Sequence, residues 1–315
     1  MMKFLRSRLQ SHKRVFLALV LLVLPAALSA QQDTAAVRKD TAVTVTFGGF
    51  ADTCLAVQFE RSEVGDIPFL TQPVRNKEFN INLMFVAAKL NGPRLRGRIA
   101  LQAGTSVMAN YVGEPRIGLF SGPELTRLIQ EAVAGYYIGS NVWIDGGIYF
   151  SHVGSESWIS RDNWTYTRSL IAEWLPCYES GFKATWTPSS KFTGLFTVVN
   201  GWQNIFETNN DKGVGIRLDF APSSAVSVFY SNFIGNELAD TLDGRTRFLN
   251  DIGFKVLFGE RAGLMGTFDY GAQDVFDWWG FSLIARVKVA DMAAVVGRVE
   301  RFSDPDQVLI GTGLA

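Results

Sequence analysis

The sequence predicts an all-β fold, an antiparallel transmembrane β-barrel of about 14 strands, or more in an untruncated copy. Three observations predict it. Val, Leu, Ile and Phe alternate with polar residues in run after run, the period-two signature of strands. The connections alternate between short turns and long loops, as the two ends of a membrane barrel do. An export signal stands at the N-terminus, and no later stretch is apolar for the ~18 residues that a spanning helix needs.

Lys3, Arg6, Arg8, Lys13 and Arg14 form a basic start, Val15 to Leu24 an apolar centre, and Pro25 to Ala30 a small-residue end. This is the pattern of a secretory signal cut after Ala30. The chain carries 30 basic and 30 acidic residues. Removing 1–30 takes five basic and no acidic residues, which leaves the rest near −5. That balance argues against nucleic acid, whose binding needs a basic face. The 13% aromatic content and 30 glycines suit strands with bulky side chains on one face.

Residues 31–42 read as a periplasmic tail and 43–315 as the barrel. The first strand alternates Val43, Val45, Phe47 and Gly49 with Thr44 and Thr46. The second alternates Phe79, Ile81, Leu83 and Phe85 with Asn80 and Asn82, and turns at Asn91-Gly-Pro93. The third sets Leu95, Gly97 and Ile99 against Arg94, Arg96 and Arg98. A strand follows near Leu125 to Ile138, then Val142 to Phe150 after the Gly139-Ser140 turn. Tyr178 to Trp186 and the stretch up to Val199 flank the Pro188–Ser190 turn; Phe192 to Val199 is apolar on both faces, so its register is open. Pairs of strands then surround turns at Pro222–Ser224, Gly259–Arg261 and Ala290–Asp291, and the last clear strand ends at Phe302. The strands are roughly 9–14 residues long, the length that crosses a bilayer at a tilt.

The long connections are Glu60–Asn76, Met108–Glu124, Ser151–Pro176, Gln203–Asp211 and Gly235–Arg247. Short-long parity has no reason to persist in a soluble sandwich, the rival reading of each strand taken singly. The polar face carries isolated charges: Arg96, Arg98, Glu131, Asp145, Lys183, Arg217, Asp219, Lys255, Arg286, Arg298 and Glu300. A midplane Arg on a lipid face costs roughly 2–4 kcal/mol, so these side chains are expected to line a wet lumen. Their mixed signs predict weak ion selectivity at most. Phe59, Tyr136, Tyr149, Phe150, Tyr178, Trp186, Tyr270 and Trp278 are candidates for interfacial girdles.

After Asp304-Pro-Asp306 only Val308 to Ala315 remains. A closed bacterial barrel needs an even strand number. Either Val308–Leu314 is a short fourteenth strand or the sequence is C-terminally truncated, and we expect truncation. Cys54 and Cys177 fit no metal or redox spacing and are expected as unpaired thiols on distant strands.

No phosphate loop, zinc spacing or nucleophile elbow is present, so no catalytic residue, metal ligand or cofactor is assigned. His152 lies near Ser155, Glu156, Ser157 and Asp162, but residues this close in one loop rarely converge into a catalytic set. In the same loop Trp164, Leu170, Ile171 and Trp174 recur at helical spacing beside Arg161, Asp162, Arg168 and Glu173. Two readings stand: the loop enters the mouth of the barrel and narrows it, with Glu156, Arg161, Asp162, Arg168 and Glu173 as constriction candidates, or it caps the exterior.

Trp143-Ile-Asp-Gly-Gly-Ile-Tyr-Phe-Ser-His-Val-Gly-Ser-Glu-Ser157, Asp162-Asn-Trp164, Thr167-Arg-Ser-Leu170, Pro176, Tyr178-Glu-Ser-Gly181 and Asn200-Gly-Trp-Gln203 resemble the OmpL-like β-barrel porin family, as do Arg298-Val-Glu300 and Asp304-Pro-Asp306. The resemblance covers roughly Val43 to Asp306. It implies a barrel in the bacterial outer membrane acting as a diffusion channel, and transfers no catalytic residue. Members of that family continue for several strands beyond the Asp304–Asp306 region. The expected function is passive diffusion of small hydrophilic solutes or ions, with outer-membrane lipid and those solutes as partners, no nucleic acid, and homo-oligomerisation open. A non-conducting structural or adhesion barrel is the runner-up and an outer-membrane hydrolase the third reading.

Overall fold

The computed structural model describes residues 42–59, 64–116, 118–241 and 246–310. The expected signal, 1–30, and residues 31–41 of the expected tail lie outside the described residues. Among those described, thirteen strands form one sheet in chain order. They are β1 (Thr44–Leu55), β2 (Phe79–Asn91), β3 (Leu95–Ala103), β4 (Ile129–Gly139), β5 (Val142–Phe150), β6 (Tyr178–Ser189), β7 (Phe192–Val199), β8 (Gly213–Ser223), β9 (Val226–Asn236), β10 (Thr246–Phe258), β11 (Ala262–Gln273), β12 (Phe276–Ala290) and β13 (Ala293–Ser303). Every neighbouring pair is antiparallel. β1 and β13 are the two edges, and among the described residues no ladder joins them.

All six expected short turns occur, at 92–94, 140–141, 190–191, 224–225, 259–261 and 291–292. Five connections at the other end are long. The sixth departs from that parity: β11 and β12 are joined by residues 274–275 alone, with Asp274 at φ 57°. Asp is among the few residues that tolerate this left-handed region. The strand expected from Leu125 starts four residues later. Pro123–Thr126 is instead a turn of helix, α1, with Pro at its N-terminus, where a missing N–H removes no helical bond. Residues 308–310 of the expected fourteenth strand are not strand, and 311–315 lie outside the described residues.

Residues directly opposite each other in an antiparallel pair share a face. The pairings Arg217–Ser231–Asp251–Asp269 therefore place one row of polar side chains on one side of β8 to β11. The other face carries Phe47, 83% exposed, and Phe79, 86% exposed, with Val86, Ile252 and Val295 also uncovered. Large apolar groups facing outward and polar groups facing inward are the arrangement a lipid-embedded sheet requires. Arg301, on the outward side of β13, stands two residues from the strand end over the Trp279 ring.

β7 settles by the same logic. Thr197 is fully buried and its hydroxyl lies 2.7 Å from the Tyr149 hydroxyl, so Thr193, Leu195, Thr197 and Val199 face inward. The apolar core sits on the concave side. One cluster holds Leu83, Phe85, Val107, Tyr111, Trp158, Ile159, Cys177 and Tyr178; the second holds Tyr149, Val153, Leu175, Val199, Trp202, Phe233, Leu249 and Trp278. Three residues read as girdle aromatics are thus corrected: Tyr149, Tyr178 and Trp278 are buried inside. Tyr149 and Trp278 alternate onto the inner face, whereas Tyr178, of the opposite parity, is covered by Tyr111 stacked on its ring at 4.2 Å; each removes about 1.5–3 kcal/mol worth of apolar surface from water. Tyr136, Trp186 and Tyr270 do face outward.

Gly147 shows how tightly the inner face is drawn. Its φ is 134°, and a Cβ there would overlap the Ala132 carbonyl of β4.

The face assignment yields a test. Val86 lies at the middle of β2 and is 66% exposed on the outward side. Val86→Arg in lipid is expected to cost roughly 2–4 kcal/mol and Val86→Leu almost nothing. Urea titration of the folded, heat-modifiable gel band measures both.

Candidate functional site

The loop between β5 and β6, residues 151–177, turns inward. At its root Ser151 and His152 meet β6: the Ser151 hydroxyl donates to Glu179 Oε1 at 2.8 Å, and His152 Nδ1 lies 2.7 Å from the same oxygen. His152 Nε2 lies 2.7 Å from the Asn232 carbonyl of β9. Gly215 of β8 lacks the side chain that would collide with the ring. Both ring nitrogens face acceptors, an arrangement that favours the protonated ring. Burial works against that charge, but the Glu179 carboxylate and the Asn232 carbonyl outweigh burial and the nearby Arg217, and hold the His152 pKa above its ordinary value.

From there the segment crosses the concave face. Arg217 of β8 donates to the His152 and Gly154 carbonyls at 2.9 and 2.8 Å. Gly154 N donates to Asp251 of β10 at 2.7 Å, and Ser155 Oγ lies 2.7 Å from Thr267 Oγ1 of β11. Ser160 and Tyr166 hydroxyls both donate to Asp52 of β1 at 3.0 Å. Arg298 of β13 donates to Thr165 Oγ1 at 3.3 Å and to the Thr167 carbonyl at 2.5 Å. Three consecutive residues, 165–167, thus reach both edges of the sheet. The helix α2 (Leu170–Trp174) ends the crossing. Glu300 accepts from Leu170 N at 2.7 Å, where helix N–H groups are otherwise unpaired.

The helical spacing read in this loop holds for Leu170, Ile171 and Trp174; Trp164 lies outside the helix, against Lys255 and Gly263. The constriction candidates divide. Arg168 and Glu173 pair at 3.2 Å inside the segment, both almost fully buried, with Glu173 also accepting from Thr71 N at 2.9 Å. Glu156 accepts from Ser169 N, and burial raises its pKa. Arg161 and Asp162 are exposed and face each other at 3.6 Å.

The strand pairings put all eleven expected lumen residues on the concave face. Four ion pairs join eight of them: Arg96–Asp145, Arg98–Glu131, Arg217–Asp219 at 2.9 Å and Arg298–Glu300 at 3.2 Å. Lys183 lies over the Tyr149 ring and Lys255 over the Trp164 ring, at 4.1 and 5.2 Å. Lys255 and Arg286 have no carboxylate partner among the described residues. Asp52, Glu179, Asp251, Thr267 and Asn232, which hold the inward segment, were absent from the sequence-derived set. Their inward parity was readable for Asp52 and Asp251; their partners in the loop were not.

Among the described residues no group of three or more His, Cys, Asp or Glu gathers to hold a metal. The two His152 ring nitrogens are engaged with Glu179 and Asn232. Cys54 and Cys177 are unpaired; Cys54 is in β1, whereas Cys177 precedes β6, buried against Arg168 at 3.2 Å.

Residues 44–315 match the family described as "Putative beta-barrel porin-2, OmpL-like". No curated protein matches the chain. Three solved structures share its fold at 11% identity: an anion-selective porin from Comamonas acidovorans (TM-score 0.55, covering 84% of this chain and 80% of that one), the outer membrane channel DcaP of Acinetobacter baumannii (0.54, 85% and 81%) and Salmonella typhi OmpF (0.53, 84% and 80%).

The raised His152 pKa has a sign. The folded value lies above the unfolded value of about 6.5, so the contribution is complete below that pH and is lost as pH rises through the folded pKa. His152→Gln is expected to lower stability by about 1.5–3 kcal/mol at pH 6, the range for charge-assisted hydrogen bonds, and by less at pH 9. Heat-modification midpoints of both proteins across that range check it; a constant difference would refute the ionic latch.

Proposed function

This chain belongs to the OmpL-like β-barrel porin family, and we propose that residues 151–177 form the narrowing element of its lumen. It is a porin of the bacterial outer membrane. Small hydrophilic solutes or ions diffuse passively between the inward segment and the charged wall. The observation that supports this reading most is the reach of the segment: its hydrogen bonds extend from Asp52 on β1 to Arg298 on β13, across the concave face.

In this reading the protein performs no chemistry on what passes. The wall offers paired charges and aromatic rings, which set the passage by close-range electrostatics and width. The exported chain begins after Ala30, and Gln31 is the residue that N-terminal sequencing of the membrane protein would find first. A second reading draws on the two apolar clusters packed beneath the segment, which fill part of the concave space. In it the barrel is a non-conducting structural element.

Planar-bilayer recording of refolded protein, with folding confirmed by the heat-dependent gel shift, separates them. Discrete ohmic steps are expected. Deleting Glu156–Ala172 is expected to enlarge each step. Folded protein without steps favours the structural barrel, and unchanged steps after the deletion would remove the narrowing role.

A further inference from the structure

We infer that the lumen selects small anions over cations, and that the wall formed by β10 and β12 below the inward segment carries this preference. The inference rests on the channel reading above and names what passes. Counted by sign alone, the charges of the concave face are close to balance. The fold sorts them into two classes.

At the level of the segment the exposed Asp162 faces the equally exposed Arg161, and the other carboxylates are buried or half-buried and engaged with the segment. Asp52 accepts from Ser160, Tyr166 and Asn82. Glu179 holds His152, and Asp251 accepts from Gly154 N and from the Ser231 hydroxyl. Glu173 and Glu156 are bound inside the segment itself. Their charge is covered by donors and protein, and they do not face the passage.

Between the segment and the short turns the balance is different. Asp145 is the one acid shared by Arg96, its ion-pair partner, and Lys183, directly opposite it on β6. Arg98, Arg217 and Arg298 each have one carboxylate partner. Lys255 and Arg286 have none among the described residues. Lys255 is exposed, as is Lys288, which alternates onto the same face of β12. Lys255 and Arg286 stand two strands apart and two residues out of register, about 12 Å at the usual strand dimensions. That is about one Debye length at 0.1 M salt, so their fields add across the water between them. Trp164 reaches the same wall: its ring lies under the Lys255 ammonium and fills the space that Gly263, directly opposite Arg286, leaves open. An anion passing the tip of the segment therefore meets two or three uncompensated cations beside an aromatic edge, whereas a cation meets Asp162 and the partly exposed Asp219, each already paired with an arginine.

The test is the zero-current potential of single channels in a KCl gradient. The wild-type protein is expected to pass chloride roughly two- to fivefold more readily than potassium near 0.1 M, the size of effect that a few unit charges about 10 Å away in water produce. The ratio should fall towards one near 1 M, where the Debye length shrinks to about 3 Å. K255E/R286E should bring it below one, and K255Q/R286Q, which removes charge with little change of shape, should bring it close to one. A wild-type ratio at or below one overturns the anion preference while leaving the channel intact. A ratio above one that both double variants leave unchanged overturns the assignment to this wall. Folded wild-type protein that conducts nothing overturns the channel reading and this inference with it.

Discussion

In the hydrocarbon core of a bilayer a backbone N–H or C=O finds no water, and leaving one unpaired costs several kcal/mol. Much of this protein can be traced to that constraint. It demands strands paired on both sides along a continuous ladder, and β2 to β12 are so paired. Strands impose a two-residue alternation, and lipid then claims one face for apolar groups. Charged and hydroxyl groups are left with the other face. Arg96, Lys183, Arg217 and Asp251 are inward because their neighbours Leu95, Phe182, Leu218 and Ile252 have to be outward.

The same constraint explains how one loop can be held so firmly. A concave wall rich in Asp, Glu, Ser, Thr and Arg supplies hydrogen-bond partners at many heights, and residues 151–177 supply backbone groups and hydroxyls to match. The anchors are distributed: Glu179 and Asn232 at the root, Asp251 and Thr267 mid-way, Asp52 and Arg298 at the two edges, Glu300 at the helix end. Each is worth only about 0.5–1.5 kcal/mol, or up to about 3 where a charge takes part. Together they favour a segment that stays in place. A segment held this way divides the charges of the wall into buried carboxylates and open cations.

The strands and the six short turns were legible in the sequence, since period two and, at five of the turns, Pro, Gly or Asn punctuation are local signals. The exceptions were local ambiguities. Pro123-Glu-Leu-Thr126 has the apolar content of a strand start but folds as a helical turn, and the connection at Asp274-Val275 carries no Gly or Pro to announce it. Tyr149, Tyr178 and Trp278 read as girdle residues because an aromatic at a strand end looks the same whichever face it takes. The direction of the central loop could not be read at all. Ser155 and Thr267 are 112 positions apart, and Tyr166 and Asp52 are 114 apart. Nothing in either partner's neighbourhood marks the other. The eleven charged wall residues were legible as a set, but which of them were neutralised by a partner was not, since that depends on distances between side chains.

The central claim is that residues 151–177 cross the inside of the sheet. S155C/T267C, in a chain whose Cys54 and Cys177 are replaced by Ser, tests it most directly, because the two native hydroxyl oxygens are 2.7 Å apart. The inward arrangement predicts that the folded protein in lipid forms this disulfide readily on mild oxidation and keeps its heat-modifiable gel mobility. Folded protein that leaves both thiols free to a membrane-impermeant reagent added from the loop side would place the segment outside and contradict the account.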